Sequence, residues 1–135
     1  MTEQEYLEDT IRYYSKDPDK LRCVTEGVCH YNSAEPGVVG CAIGRKMRKA
    51  DRGRLDAVDP NGVGIDTVIK YIEDEEIPKS ILPAWMRKMK LVFLCDLQRL
   101  HDKSEFWDSD GLSRVGFDHV KFTFSNYDLT FLKNI

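Results

Sequence analysis

No stretch of this sequence approaches the ~20 consecutive apolar residues that a membrane-spanning helix needs. The first twenty residues carry charge throughout, so neither a secretory leader nor a spanning anchor is expected. Cys-x-x-Cys pairs are missing, and so are a Gly-rich phosphate-binding loop, a nucleophile elbow, internal repeats and any linker. Positive charge is also short: 20 Lys and Arg stand against 23 Asp and Glu, a net charge of -3. A dedicated nucleic-acid binder is expected to be strongly basic, so sequence-specific nucleic-acid recognition is not expected.

What is present reads as a globular chain. Its 135 residues are 41% hydrophobic and 32% charged, a balance that supports one compact domain with a real core. The charge is unevenly spread. Arg45, Lys46, Arg48, Lys49, Arg52 and Arg54 fall within one short stretch, and Arg87, Lys88 and Lys90 form a second basic group. Acidic residues gather at Glu3, Glu5, Glu8 and Asp9 and again at Glu73–Glu76. A surface polarised in this way steers anions even on an acidic molecule, whereas each charge taken singly reads as part of a solvated helix face.

The spacing of Tyr6, Leu7, Thr10, Ile11 and Tyr14 predicts an amphipathic helix over 3–15, ended by Asp17-Pro18. Residues 21–25 and 37–40 are short, β-branched and bounded by turn residues, which predicts a small β-ribbon. A helix is expected over 41–51, with Ala42, Ile43, Met47 and Ala50 on its apolar face. Asp59-Pro60-Asn61-Gly62 marks a turn, and Ile65, Val68, Ile69 and Ile72 predict a helix over 65–75. Ser80 and Pro83 then open a long helix over 81–102, whose apolar face is Leu82, Trp85, Met89, Val92, Phe93, Leu97 and Leu100. Residues 112–125 suit either a helix or a strand, and helix is preferred. The expected fold is α+β: a mostly helical single domain with a small ribbon before the Cys41 helix.

Several tempting motifs fail. Gly62-Val63-Gly64 lacks the third small residue of a dinucleotide fingerprint, and Val63 and Lys70 occupy positions where a calcium loop needs oxygen ligands. Four cysteines without a leader read as reduced cytosolic thiols. Cys23, Cys29, His30 and Cys41 miss the usual zinc-knuckle spacing, so no metal and no cofactor are expected. The His101-Asp102 pair is similar to the ligand pair of HD-type metal phosphohydrolases, but only His30 and His119 remain to complete such a set.

Two stretches carry chemistry. Val38-Val39-Gly40-Cys41-Ala42-Ile43-Gly44-Arg45 reads as a strand delivering Cys41 to a helix start, where free N–H groups favour a thiolate or a bound anion. Arg45 follows one turn later, and Lys49 and Arg52 continue the stripe. Arg45 is therefore expected to contact an anion rather than to form a structural ion pair. A buried, inert cysteine beside a wet basic face is the plain alternative. The second stretch, Phe93–Asp102, places Gln98, His101 and Asp102 beside an apolar stripe, with Trp107 close behind as a pocket wall or a loop anchor. In the plain reading, His101 merely complements a helix C-terminus. Cys41 and His101 are expected to face each other across one cleft.

The pattern Cys41-Ala42-Ile43-Gly44-Arg45, then Phe93-Leu94-x-x-Leu97-Gln98-x-x-His101-Asp102 and a trailing Trp107, resembles a family of small uncharacterised proteins encoded mainly by bacteriophages and mobile elements. The resemblance covers about 22–107 and implies a phage or prophage context in the cytoplasm of a bacterial host. It implies no activity. Two function classes follow. The preferred one is an accessory, host-interaction or anti-defence protein that binds an anionic, nucleotide-like ligand or a host defence protein without catalysis. Arg45, Lys49, Arg52, Gln98 and Trp107 are its expected ligand contacts. The alternative is a papain-like cysteine hydrolase or transferase, in which Cys41 attacks, His101 is the base and Asp102 or Gln98 orients the imidazole or steadies an oxyanion. An inhibitor acting through its acidic first helix would use none of these motifs. Oligomeric state is left open.

Overall fold

Thr2 and Glu5 begin the first helix as a reciprocal cap: the Glu5 N–H donates to Thr2 Oγ1, and the Thr2 N–H donates to the Glu5 carboxylate, both at 3.1 Å. The computed structural model describes residues 1–22, 42–58 and 65–134. Helix α1 (Glu3–Ser15) buries Tyr6, Leu7, Thr10, Ile11 and Tyr14, the stripe its periodicity predicts. Asp17 then caps a short helix α2 (Pro18–Leu21), with Pro18 at a first-turn position that needs no N–H.

Helices α3 (Lys49–Val58), α4 (Ile65–Glu73), α5 (Ala84–Arg87), α6 (Leu91–Asp102) and α7 (Arg114–Thr123) follow. Between α6 and α7, β1 (Trp107–Asp108) pairs antiparallel with β2 (Gly111–Leu112). The fold is thus α+β, mostly helical, with one small ribbon among the described residues. Asp108 Oδ1 accepts from the Asp110 N–H at 2.8 Å inside the ribbon's turn, and Gly111 closes it with φ +129°, a conformation that favours glycine. The ribbon expected over 21–25 and 37–40 lies outside the described residues, except that Leu21 ends α2 and Arg22 is its C-cap.

Two expected helices are corrected. Over 42–51, the described part of the expected 41–51 helix, the chain instead makes a turn at Ala42-Ile43, one 3-10 turn at Gly44–Lys46 and an extended step at Met47; α3 starts only at Lys49. Tertiary bonds take the backbone groups there. The Tyr6 hydroxyl donates to the Ala42 and Ile43 carbonyls at 2.7 and 3.2 Å, and the Ile43 N–H donates to Gln98 Oε1 at 3.4 Å. Ala42, Ile43 and Met47 are buried as expected, but Ala50 is exposed.

The helix expected over 81–102 is broken into two. Pro83 holds Leu82 in an extended conformation, so Ser80 sits in a 3-10 turn and Pro83 itself is the N-cap of α5. A second break at Lys88–Lys90 precedes α6. Of the expected stripe, Leu82, Met89, Phe93, Leu97 and Leu100 reach the core and Trp85 is half-buried, while Met86, outside that stripe, is fully buried. Val92, read as core, is instead 62% exposed. In α7, Phe122 is 86% exposed between the buried Val120 and Phe124, which is helical and not strand-like spacing.

The N-terminal residues tie distant parts together. Glu3 accepts from the Lys90 N–H at 2.7 Å and from the Tyr127 hydroxyl at 2.6 Å. Gln4 donates to the Asp128 carbonyl and accepts from its N–H, at 2.7 and 2.8 Å. Tyr6, Leu55, Val68, Leu94 and Phe124 share one hydrophobic cluster contributed by five helices or their ends.

Candidate functional site

The two basic groups of the sequence meet in space. Helix α3 packs against the Lys79–Ile81 turn, which brings Lys46, Arg48 and Arg54 to one side of a cleft and Trp85 and Arg87 of α5 to another. The cleft encloses about 380 Å³, within the size range of small-molecule sites. Among the described residues that line it, the one carboxylate is Asp51, which is buried. Asp51 accepts from Arg54 and from Arg48 Nε, the latter at 3.4 Å, so the carboxylate fixes two guanidinium groups at the rim. Lys46 reaches Asp9 at 3.3 Å, while Arg87 is exposed and has no carboxylate partner among the described residues. Trp85 is half-buried, its indole braced by Tyr6 with ring centroids 5.4 Å apart.

Comparison with family models, with curated proteins and with solved structures gives no match to the chain. The functional reading rests on the chemistry of the residues themselves.

Arg45 corrects the sequence expectation. Its side chain is only 6% exposed, it donates to Asp9, and its guanidinium lies 4.4 Å from the centre of the Tyr13 ring. Burial works against the Asp9 charge, but hydrogen bonds and charge from Arg45 and Lys46 outweigh it and hold the carboxyl below its usual range. Arg45 is therefore a structural ion pair that orients α1 against the 3-10 turn. Lys49 and Arg52 lie on α3 but are not among the residues lining the cleft.

The second predicted group does come together. Asp102 Oδ1 accepts from Gln98 Nε2 at 2.7 Å and lies 2.8 Å from His101 Nδ1. A proton on Nδ1 satisfies this contact and leaves Nε2 as an acceptor; Nε2 is buried and has no hydrogen-bond partner among the described residues. The imidazole packs edge-on to Tyr14, with centroids 4.9 Å apart. Gln98 is committed on both sides: its oxygen accepts from the Ile43 N–H, and one of its two amide hydrogens goes to Asp102. Cys41, together with Cys23, Cys29 and His30, lies outside the described residues.

The end of α6 is fully capped. Of its last four carbonyls, Arg99 O accepts from the Lys103 N–H at 3.3 Å and Leu100 O from Trp107 Nε1 at 2.8 Å. The other two belong to Arg22, which donates from Nε to His101 O at 2.6 Å and from Nη2 to Asp102 O at 2.8 Å. Trp107, expected as a ligand contact, is thus a buried anchor for the helix end. Sequence reasoning flagged the basic groups but missed Trp85 and Asp51 as site residues. Pro83, which interrupts the long apolar pattern just before Trp85, was the available signal.

Among the described residues no three His, Cys, Asp or Glu side chains are grouped to hold a metal ion, and no helix is long and apolar enough to cross a membrane.

Proposed function

We propose that this protein binds an anionic, nucleotide-like small molecule without catalysis, in the cleft between α3 and α5. The observation that carries this reading is the convergence of Lys46, Arg48, Arg54 and Arg87 around a cavity with an aromatic wall. Clustered cations in a low-dielectric concavity attract anions, and an indole accepts a planar base. The phage or prophage context implied by the sequence resemblance would make it an accessory protein of the bacterial cytoplasm, acting by sequestering a metabolite. Calorimetric titration with ATP tests the reading. Micromolar binding that weakens at least tenfold in Arg87→Ala supports it; equal affinity in both proteins overturns this site.

A second reading, a cysteine hydrolase or transferase, is favoured by the His101–Asp102 contact and the unpartnered Nε2. Ile43, two residues after Cys41 in the sequence, donates its N–H to Gln98, the residue one turn before His101 and Asp102. Iodoacetamide labelling of Cys41 across pH separates the cases. Fast labelling near neutral pH that is lost in His101→Ala supports a paired nucleophile. Labelling slower than that of a free thiol at every pH leaves binding as the function.

A further inference from the structure

We propose that Asp51 is the positioning residue of this cleft: it holds Arg54 and Arg48 in place before an anion arrives, so that removing its negative charge weakens anion binding instead of strengthening it. The inference rests on the binding reading above and names the residue on which the affinity of that site depends.

A carboxylate is out of place in an anion site. By charge alone Asp51 repels the ligand that Lys46, Arg48, Arg54 and Arg87 attract. Its placement gives it another use. The Asp51 side chain is 3% exposed, whereas those of Arg54 and Arg48 are 54% and 87% exposed. The holding charge is buried and the held charges stay open to solvent. Asp51 lies in the first turn of α3, three residues from each arginine, so all three side chains share one side of the helix start. Its two oxygens are used separately: Oδ1 accepts from Arg54 Nη2 and Oδ2 from Arg48 Nε. One N–H of each guanidinium is thereby taken, and a guanidinium has five. The others are left for the ligand, and two long side chains need less ordering when it binds.

A second carboxylate supplies the comparison. Asp9 carries the same charge and pairs with another cation of the lining, Lys46, at 3.3 Å. It stands on α1, is not among the lining residues, and has Arg45 as its other partner. Asp9 therefore offsets a cleft cation without ordering the Arg48–Arg54 pair.

The test is calorimetric titration of ATP into the wild-type chain, Arg87→Ala, Asp51→Asn and Asp9→Asn at neutral pH. Asp51→Asn should weaken binding about tenfold, the effect of leaving two long side chains for the ligand to order. Asp9→Asn, an identical change of charge, should bind ATP as tightly as the wild type or more so. Affinity in Asp51→Asn at or above the wild-type level, with Arg87→Ala still impaired, overturns the positioning role and leaves the cleft standing. An equal loss in both Asn variants also overturns it, because the effect would then not run through Arg48 and Arg54. If the wild type binds no ATP, the cleft reading falls and the positioning role with it. If Asp51→Asn does not fold, nitrogen-15 NMR of the arginine side chains in the ligand-free wild type decides. The Arg54 guanidinium should rotate more slowly than that of Arg87, which has no carboxylate partner among the described residues. Equal rates overturn the proposal.

Discussion

Gly116 lies against the carbonyl of Phe106 so closely that a Cβ added there would stand 2.0 Å from the oxygen. That oxygen also accepts from the Ser113 N–H at 2.9 Å, so the start of α7 and the 3-10 turn Ser104–Phe106 are locked backbone to backbone. Alanine favours helix over glycine by about 1 kcal/mol at an ordinary position. At this one the clash is with main chain, which has no flexible end to move aside. Gly116→Ala should therefore destabilise the fold, by about 3 kcal/mol or more, seen as a lower midpoint in urea with little change in slope.

The Asp9 carboxyl gives an acid-side signature. Its folded-state pKa is lowered, so its contribution is present above the unfolded value near 3.8 and is lost as pH falls through the folded value. Asp9→Asn should lower stability at neutral pH by about 1 kcal/mol, discounted because the carboxylate is partly exposed. It should also flatten the stability profile below about pH 4. Thermal melts of the two proteins from pH 2 to 7 check both outcomes, and parallel curves over that range contradict the ion pair.

Arg22 donates to the last two carbonyls of α6, those of His101 and Asp102. Arg22→Ala should cost about 2–3 kcal/mol, since buried acceptors lose charge-assisted bonds. Arg22→Lys should rescue less than half of that, because a single ammonium cannot reproduce the fork that spans His101 and Asp102. Amide exchange at the end of α6 should speed up in both variants.

Cys95 offers a contrast with any activated thiol. Burial first, then a hydrogen bond and charge from Asp66, push its pKa up to about 12. It should alkylate far more slowly at pH 8 than a free cysteine, and Asp66→Asn should accelerate it. Mass mapping of the labelled site distinguishes Cys95 from the other three cysteines.

Helices α1 and α4 were legible in the sequence because a 3.6-residue apolar period stands out there, whereas the spacing in α7 also suits a strand and only the exposure of Phe122 separates the two. The failures share a cause. At Ala42–Ile43, a hydrogen bond from the Tyr6 hydroxyl and one to Gln98 Oε1 replace those of the expected helix, and both partners come from far along the chain. Around Pro83 and Lys88–Lys90 the apolar spacing is the same for one helix or two, so periodicity alone cannot place a break. The His101–Asp102–Gln98 group was readable because its members are neighbours on one helix. The cleft was half readable: local charge density exposed its cations, whereas Trp85, at an apolar position of the expected long helix, looked like core. Arg45 misled because its partner, Asp9, belongs to another helix.

The bonds from Glu3 and Gln4 to Tyr127 and Asp128 join residues 124 positions apart. During synthesis α1 is made well before the groups of Tyr127 and Asp128 that complete its polar edge. Until these are made, the Glu3 carboxylate lacks the Tyr127 hydroxyl and Gln4 lacks its bonds to the Asp128 backbone. Closure of the fold is thus a late, long-range event, expected to be slow for a helical chain of this size. Nascent chains stalled just short of Tyr127 should remain open to proteases at α1, and chains in which Tyr127 and Asp128 have left the ribosome should protect it.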